Sequence, residues 1–188
     1  MGNRKVLLEW IQRKGRNVMK LKKHIFLIGF MGVGKTSTSR LLSRKLHVRE
    51  VDTDAMIVEM ENRSIPEIFA QSGEPYFRQV ESGTLDSLAE RAPCIVSCGG
   101  GMAMRSENVK KMKEIGTVVF LVATPETIYS HVKDSTNRPL LNGNMNVPYI
   151  KKLMGEREPK YRAAADLEIG TDGCTPEEVA DKIIDVLL

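Results

Sequence analysis

No stretch of the 188-residue chain approaches the roughly 20 consecutive apolar residues that a membrane-spanning helix needs. The basic N-terminus is not followed by the apolar core and small-residue cleavage site of a secretory signal. Gly2 stands where a myristoylated glycine would, but Val6 occupies the position that this signal reserves for Ser or Thr. These absences set the expectation of a cytoplasmic protein with no membrane partner. Cysteine is scarce: Cys94, Cys98 and Cys174 are odd in number and lack zinc spacing, which excludes a closed disulfide framework. Histidine is equally scarce, and His24, His47 and His131 are scattered along the chain. Buried reduced thiols and surface imidazoles are expected. Internal repeats and low-complexity tracts are also absent, and the length suits a single compact domain.

The net charge of +4 is unevenly placed. Residues 1–23 hold eight Lys or Arg against one Glu, a balance of +7, so residues 24–188 sum to −3. A basic extension therefore precedes a domain of ordinary surface charge, with no reason to expect a nucleic-acid partner. Within the extension, Leu7, Ile11 and Val18 fall on one face of a helix that Gly15 interrupts; a solvated or loosely docked segment is expected, with a partner or oligomer contact and an anionic surface such as membrane or nucleic acid as the alternatives.

From His24 onward, apolar runs alternate with helical patterns. Ile25–Ile28, Ile95–Ser97 and Thr117–Val122 read as strands buried on both faces, with shorter strands ending at Asp52 and covering Leu167–Gly170. Helices are expected over Lys35–Leu46, from Pro66 behind a Ser64/Glu67 capping box, over Pro75–Glu90, over Glu107–Glu114 with Gly116 as C-cap, after Thr124-Pro125, over Tyr149–Arg162, and behind Thr175 with Glu178. This alternation implies an α/β fold with a parallel sheet, whose ligands sit at the carboxyl ends of the strands.

The strongest motif is Gly29-Phe30-Met31-Gly32-Val33-Gly34-Lys35-Thr36, which matches G-x-x-x-x-G-K-[ST] between a strand and a helix. Its glycines let backbone N–H groups curl around an anion, and the helix N-terminus adds positive potential. Lys35 supplies a point charge to the β- and γ-phosphates of a nucleotide, and Thr36 a hydroxyl for Mg²⁺. Asp52 and Asp54 follow the second strand. One could hold Mg²⁺ through water while the other meets an acceptor hydroxyl, with a helix N-cap as the competing role for Asp54. Arg78, Arg138 and Arg157 have the planar fork that grips carboxylates and phosphates, and Arg138 lies in the long polar segment 134–146.

These segments, with Phe77-Arg78 and Glu81, Gly99-Gly100-Gly101, Arg138-Pro139-Leu140-Leu141, and Arg157 with Tyr161-Arg162, resemble the shikimate kinases, a family of nucleoside-monophosphate-kinase-like P-loop proteins. The likeness runs from His24 to the C-terminus. It implies a three-layer α/β/α domain with five parallel strands, a helical substrate-binding insert at about 53–84 and a lid at about 133–147. It also implies ATP- and Mg²⁺-dependent phosphorylation of the 3-hydroxyl of shikimate, in aromatic amino-acid (chorismate) biosynthesis, by a monomer. By the same resemblance, Gly32, Val33, Gly34, Lys35, Thr36, Ser37 and Arg138 hold ATP, and Thr36 and, through water, Asp52 hold the metal. Asp54, Arg78, Gly99, Gly100, Gly101 and Arg157 hold shikimate, and Lys35, Asp54 and Arg138 are catalytic. Any side chain at Gly100 or Gly101 would intrude on the acceptor, and Glu81 orients an arginine. The chain departs from the family where many members carry an early lid arginine that stacks on adenine; the nearest basic residue is Lys133. The backbone around Gly173–Pro176 is expected to form the other side of that pocket. Two rival functions are a gluconate-type sugar-acid kinase and a non-catalytic nucleotide-binding module with a basic tail. Asp52-Thr53-Asp54 with the Gly99–Gly101 run and Arg138-Pro139-Leu140-Leu141 argues against the first, which shares the P-loop, and the joint presence of Lys35, Asp54 and Arg138 argues against the second.

Overall fold

A computed structural model of the chain describes residues 21–134, 141 and 144–187. Most of the basic extension, and Arg138, Pro139 and Leu140 of the expected lid, lie outside the described residues. Strands β1 (His24–Ile28), β2 (Glu50–Asp52), β3 (Ile95–Ser97), β4 (Gly116–Val122) and β5 (Leu167–Gly170) form one sheet in the order β2-β3-β1-β4-β5. All four pairings are parallel, and Leu27 in β1 sits opposite Ser97 on one side and Val119 on the other.

The central strand is apolar at nearly every position because both of its faces are covered. Successive side chains point to opposite faces. Ile25 and Leu27 therefore enter one core with Leu42, Val119, Ile128 and Ile183, while Phe26 and Ile28 enter another with Leu85, Met112, Phe120 and Tyr161. The first core is covered by α1 (Lys35–Leu46), α5 (Pro125–Val132) and α7 (Pro176–Leu187), and the second by the end of α3 (Ile65–Ala89) and by α4 (Ser106–Ile115). The expected three-layer α/β/α architecture is thus present. Helix α6 (Val147–Ala164) contributes Ile150 to one core and Tyr161 to the other. Helix α2 (Thr53–Glu61) packs on α3 around a separate small cluster of Ile57, Ile68 and Phe77.

The helix starts follow their local chemistry. At α3 the Ser64 Oγ accepts from Glu67 N at 3.4 Å and the Glu67 carboxylate from Ser64 N at 2.7 Å, a reciprocal capping box. Thr124 caps α5 through Thr127 N at 3.3 Å, with Pro125 behind it. The two helices expected around Pro66 and Pro75 run together as α3, broken at Gly73 (φ 76°, ψ 172°).

Two expectations are corrected. Gly116 is not a helix C-cap: it is extended (φ −158°, ψ −171°) and opens β4. Its lack of a side chain matters for packing instead, because a Cβ there would collide with the Phe26 ring and lie 2.7 Å from the His24 carbonyl. His24 is not a surface imidazole. It is buried, bonded to the Leu88 carbonyl at 3.0 Å and facing the Cys94 sulfur, and burial depresses its pKa. The thiols of Cys94 and Cys98 are buried and free, as expected, whereas that of Cys174 is only partly buried. No helix among the described residues is long and apolar enough to cross a membrane.

Candidate active site

The loop between β1 and α1 curls because Gly32 (φ 78°) and Gly34 (φ 96°) hold left-handed conformations that a side chain would strain. Helix α1 then starts with no side-chain cap and no acidic residue in its first turn. The neighbouring helices α2, α3, α5 and α6 are each capped, by Asp52, Ser64, Thr124 and Asn146. The first-turn amides of α1 are left for an anion. The Lys35 ammonium lies over the loop, donating to the carbonyls of Gly29 at 2.9 Å and Phe30 at 3.0 Å. The Thr36 hydroxyl sits 3.2 Å from Ser97 Oγ and 3.4 Å from Asp52 Oδ2. This all-oxygen set suits a hard cation such as Mg²⁺.

Asp52 and Asp54 divide their labour through the helix start. Asp52 Oδ1 accepts from the amides of Asp54 at 3.0 Å and Ala55 at 3.3 Å, so the N-cap of α2 is Asp52. The competing cap role for Asp54 is thereby removed. The Asp54 carboxylate crosses the backbone at Gly99, where a Cβ would stand 3.2 Å from its Cγ. Burial, reinforced by the charge of Asp52, raises the Asp54 pKa above its ordinary value, although Lys35 and Arg78 pull the other way.

The opposite wall is cationic. Arg78 pairs with the buried Glu81 at 2.9 Å and the exposed Glu74 at 3.0 Å, and Arg105 holds the Arg78 carbonyl at 3.1 Å. Burial raises the Glu81 carboxyl pKa despite its ion pair with Arg78. Arg157 forms no ion pair among the described residues. The glycine run is fastened from both sides: Gly99 N donates to Thr53 Oγ1 at 2.8 Å, and the Tyr161 hydroxyl donates to the Gly100 carbonyl at 2.7 Å. The Tyr161 ring stacks on Phe120 at 5.2 Å. The protein's own packing constrains these glycines unequally. At Gly101 a Cβ would lie 2.9 Å from the Arg78 Cζ, whereas at Gly100 the nearest protein atoms leave ordinary room at 3.7 and 3.8 Å. Gly99 and Gly101 let Asp54 and Arg78 pass over the main chain.

One cleft of about 650 Å³ gathers Gly32, Gly34, Lys35, Thr36, Ser37, Asp52, Asp54, Arg78, Arg157 and the Gly99–Gly101 run. Val33 is not on its wall: its side chain is in the core, against a separate apolar cavity of about 310 Å³. Arg138 lies outside the described residues. Lys133 does not line the cleft, but His131 and Pro176 do. Sequence reasoning missed Ser97, Thr53 and His131. A serine closing an apolar strand was a readable signal for the first; the other two are placed by packing alone. Cys98 also lines the cleft, and burial pushes its thiol pKa far up, so the sulfur stays neutral.

A glycine-curled loop on an uncapped helix, facing two strand-end carboxylates and two arginines, defines a P-loop kinase of a small anionic acceptor. The shikimate kinase family model matches residues 31–188, and the chain belongs to that family. It is 44% identical over 169 residues to a shikimate kinase of Dehalococcoides mccartyi, covering 90% of this chain and 96% of that one. The structure resembles shikimate kinase from Acinetobacter baumannii, solved in complex with shikimate, at TM-score 0.81 and 32% identity over 88% of this chain and 92% of that one. A gluconokinase from Sinorhizobium meliloti 1021 shares the fold at TM-score 0.57 with 15% identity, over 88% of this chain and 91% of that one. Shikimate kinases phosphorylate shikimate at the expense of ATP, a step of aromatic amino-acid biosynthesis.

Proposed function

We propose that this chain transfers the γ-phosphoryl group of ATP to the 3-hydroxyl of shikimate, with the following division of roles among the residues of the cleft. The observation that carries this is the placement of Asp54 and Arg157 beside the glycine run, in the same cleft as Lys35 and Thr36. Loop amides and Lys35 receive the phosphates. Thr36, with Asp52 through water, would hold Mg²⁺, which when bound neutralises phosphate charge. Arg157 and Arg78 take the acceptor carboxylate. The hydroxyl oxygen attacks the γ-phosphorus as the bond to the bridging oxygen breaks, ADP leaves, and the hydroxyl proton passes to the Asp54 carboxylate. The raised pKa of Asp54 suits that receipt. Arg138 closes over the phosphates, and the enzyme works as a cytoplasmic monomer, the former role inferred from the family motif and the location supported by free cysteines.

An ATP-consumption assay with shikimate, quinate, gluconate and AMP as separate acceptors tests the substrate. Turnover with gluconate or AMP and none with shikimate would overturn it. Arg138→Ala should lower kcat more than it raises either KM, because its charge is most useful on the transferring group; a wild-type kcat would remove Arg138 from the mechanism. Tyr161→Phe keeps the ring on Phe120 but loses the donor to Gly100. It should raise KM for shikimate about three- to tenfold, the worth of one hydrogen bond, and leave KM for ATP within about twofold. An unchanged KM for shikimate would reduce Tyr161 to packing.

A further inference from the structure

Helix α5 lies directly against the glycine loop. At Gly32 a side chain could not be added without meeting Val132, and Ile128 lies just beyond at 3.7 Å. From the last turn of the same helix, His131 Nδ1 stands 2.8 Å from the Gly32 carbonyl, joining positions 99 residues apart. A carbonyl oxygen only accepts, so Nδ1 carries the proton and Nε2 is the other ring edge. The Gly32–Val33 peptide held in this way is itself part of a short network: Val33 N donates to the Phe30 carbonyl at 3.4 Å, and that carbonyl also receives the Lys35 ammonium at 3.0 Å. A peptide unit is planar, so fixing its carbonyl fixes its N–H as well. His131 thus reaches the lysine through Gly32, Val33 and Phe30, and its ring is part of the cleft wall.

We infer that His131 is a positioning residue for ATP: its Nδ1–H holds the Gly32 carbonyl and so sets the loop geometry that receives the phosphates. This rests on the assignment of the loop and Lys35 to the nucleotide. Helix α5 supplies the brace from outside the loop motif, so the loop need not hold its left-handed turns by its own sequence alone.

Steady-state kinetics on His131→Ala and His131→Asn test it, with thermal melting alongside and Lys35→Ala as control. Asparagine keeps a side-chain N–H near the position of Nδ1 and has no counterpart of Nε2. The alanine variant should raise KM for ATP about three- to tenfold, with KM for shikimate within about twofold and an unchanged Tm. The asparagine variant should return KM for ATP to within about twofold of wild type. An unaltered KM for ATP in His131→Ala overturns the inference. So does an equal rise in both KM values with a lowered Tm, which is the mark of a structural role, and so does an asparagine variant as impaired as alanine. If Lys35→Ala turns over normally, the nucleotide assignment itself fails, a result distinct from any of these.

Discussion

Asp54→Asn should lower kcat by about 10²–10⁴, the usual worth of a positioned general base, while KM for ATP stays within a few-fold of wild type. Asparagine keeps the size and one acceptor oxygen but cannot receive the acceptor's proton. The pH dependence separates this role from mere orientation. Burial and the neighbouring charge of Asp52 raise the Asp54 pKa above its ordinary 3.8. The acid limb of kcat/KM should therefore lie above that ordinary value in the wild type, and the limb due to Asp54 should vanish from the residual activity of the variant. Stability should move the opposite way to activity. A carboxyl whose pKa is raised on folding contributes stability below its unfolded pKa, and that contribution is lost as pH rises through the folded pKa. At neutral pH the charged Asp54 is a liability, so Asp54→Asn should melt at or above the wild-type temperature. Near-wild-type turnover of shikimate by this variant would send the search for the base elsewhere.

Arg78→Ala should raise KM for shikimate by tens- to a thousandfold or more, about 2–5 kcal/mol, with KM for ATP little changed. Two causes combine. The acceptor carboxylate loses one arm of its clamp, and Glu81, 1% exposed, loses its partner at 2.9 Å. An orphaned buried carboxylate takes up a proton more readily, so its folded pKa rises further above the ordinary 4.5. The variant's loss of stability should consequently grow as pH rises from acid toward neutral and be smallest in acid. Arg78→Ala/Glu81→Gln separates the two causes. The double variant should regain most of the melting temperature lost by the single one, yet keep the high KM for shikimate. Were the double variant to regain wild-type KM, Arg78 would act only as the counter-ion of Glu81 and would not bind substrate.

Much of this architecture is legible in the chain because the information is local. A strand buried on both faces has to be an apolar run, as Ile25–Ile28 is; a capping box has to place its two partners three residues apart, as Ser64 and Glu67 are. The loop 29–36 declares itself because left-handed backbone, an uncapped helix and a lysine follow from a few adjacent residues. What failed were single positions decided by packing, the conformation of Gly116 and the burial of His24. Gly116 sits after a helix in sequence, where a C-cap is the natural reading, but the space beside it is filled by Phe26 from another strand.

The sequence by itself determined the alternation of strands and helices, the anion-binding loop, and which carboxylates and arginines were available for chemistry, since each depends on neighbours within one helical turn or one strand. Only the tertiary structure decided that Asp52 is the cap and Asp54 the group facing the cleft, and that Gly99 and Gly101 are bare to let Asp54 and Arg78 cross. It alone brought Tyr161 to Gly100 across 61 residues and His131 to Gly32 across 99. Those partners meet because the parallel sheet gathers its strand ends on one edge and helices α5 and α6 pack beside them, and no periodicity along the chain encodes a contact made by packing.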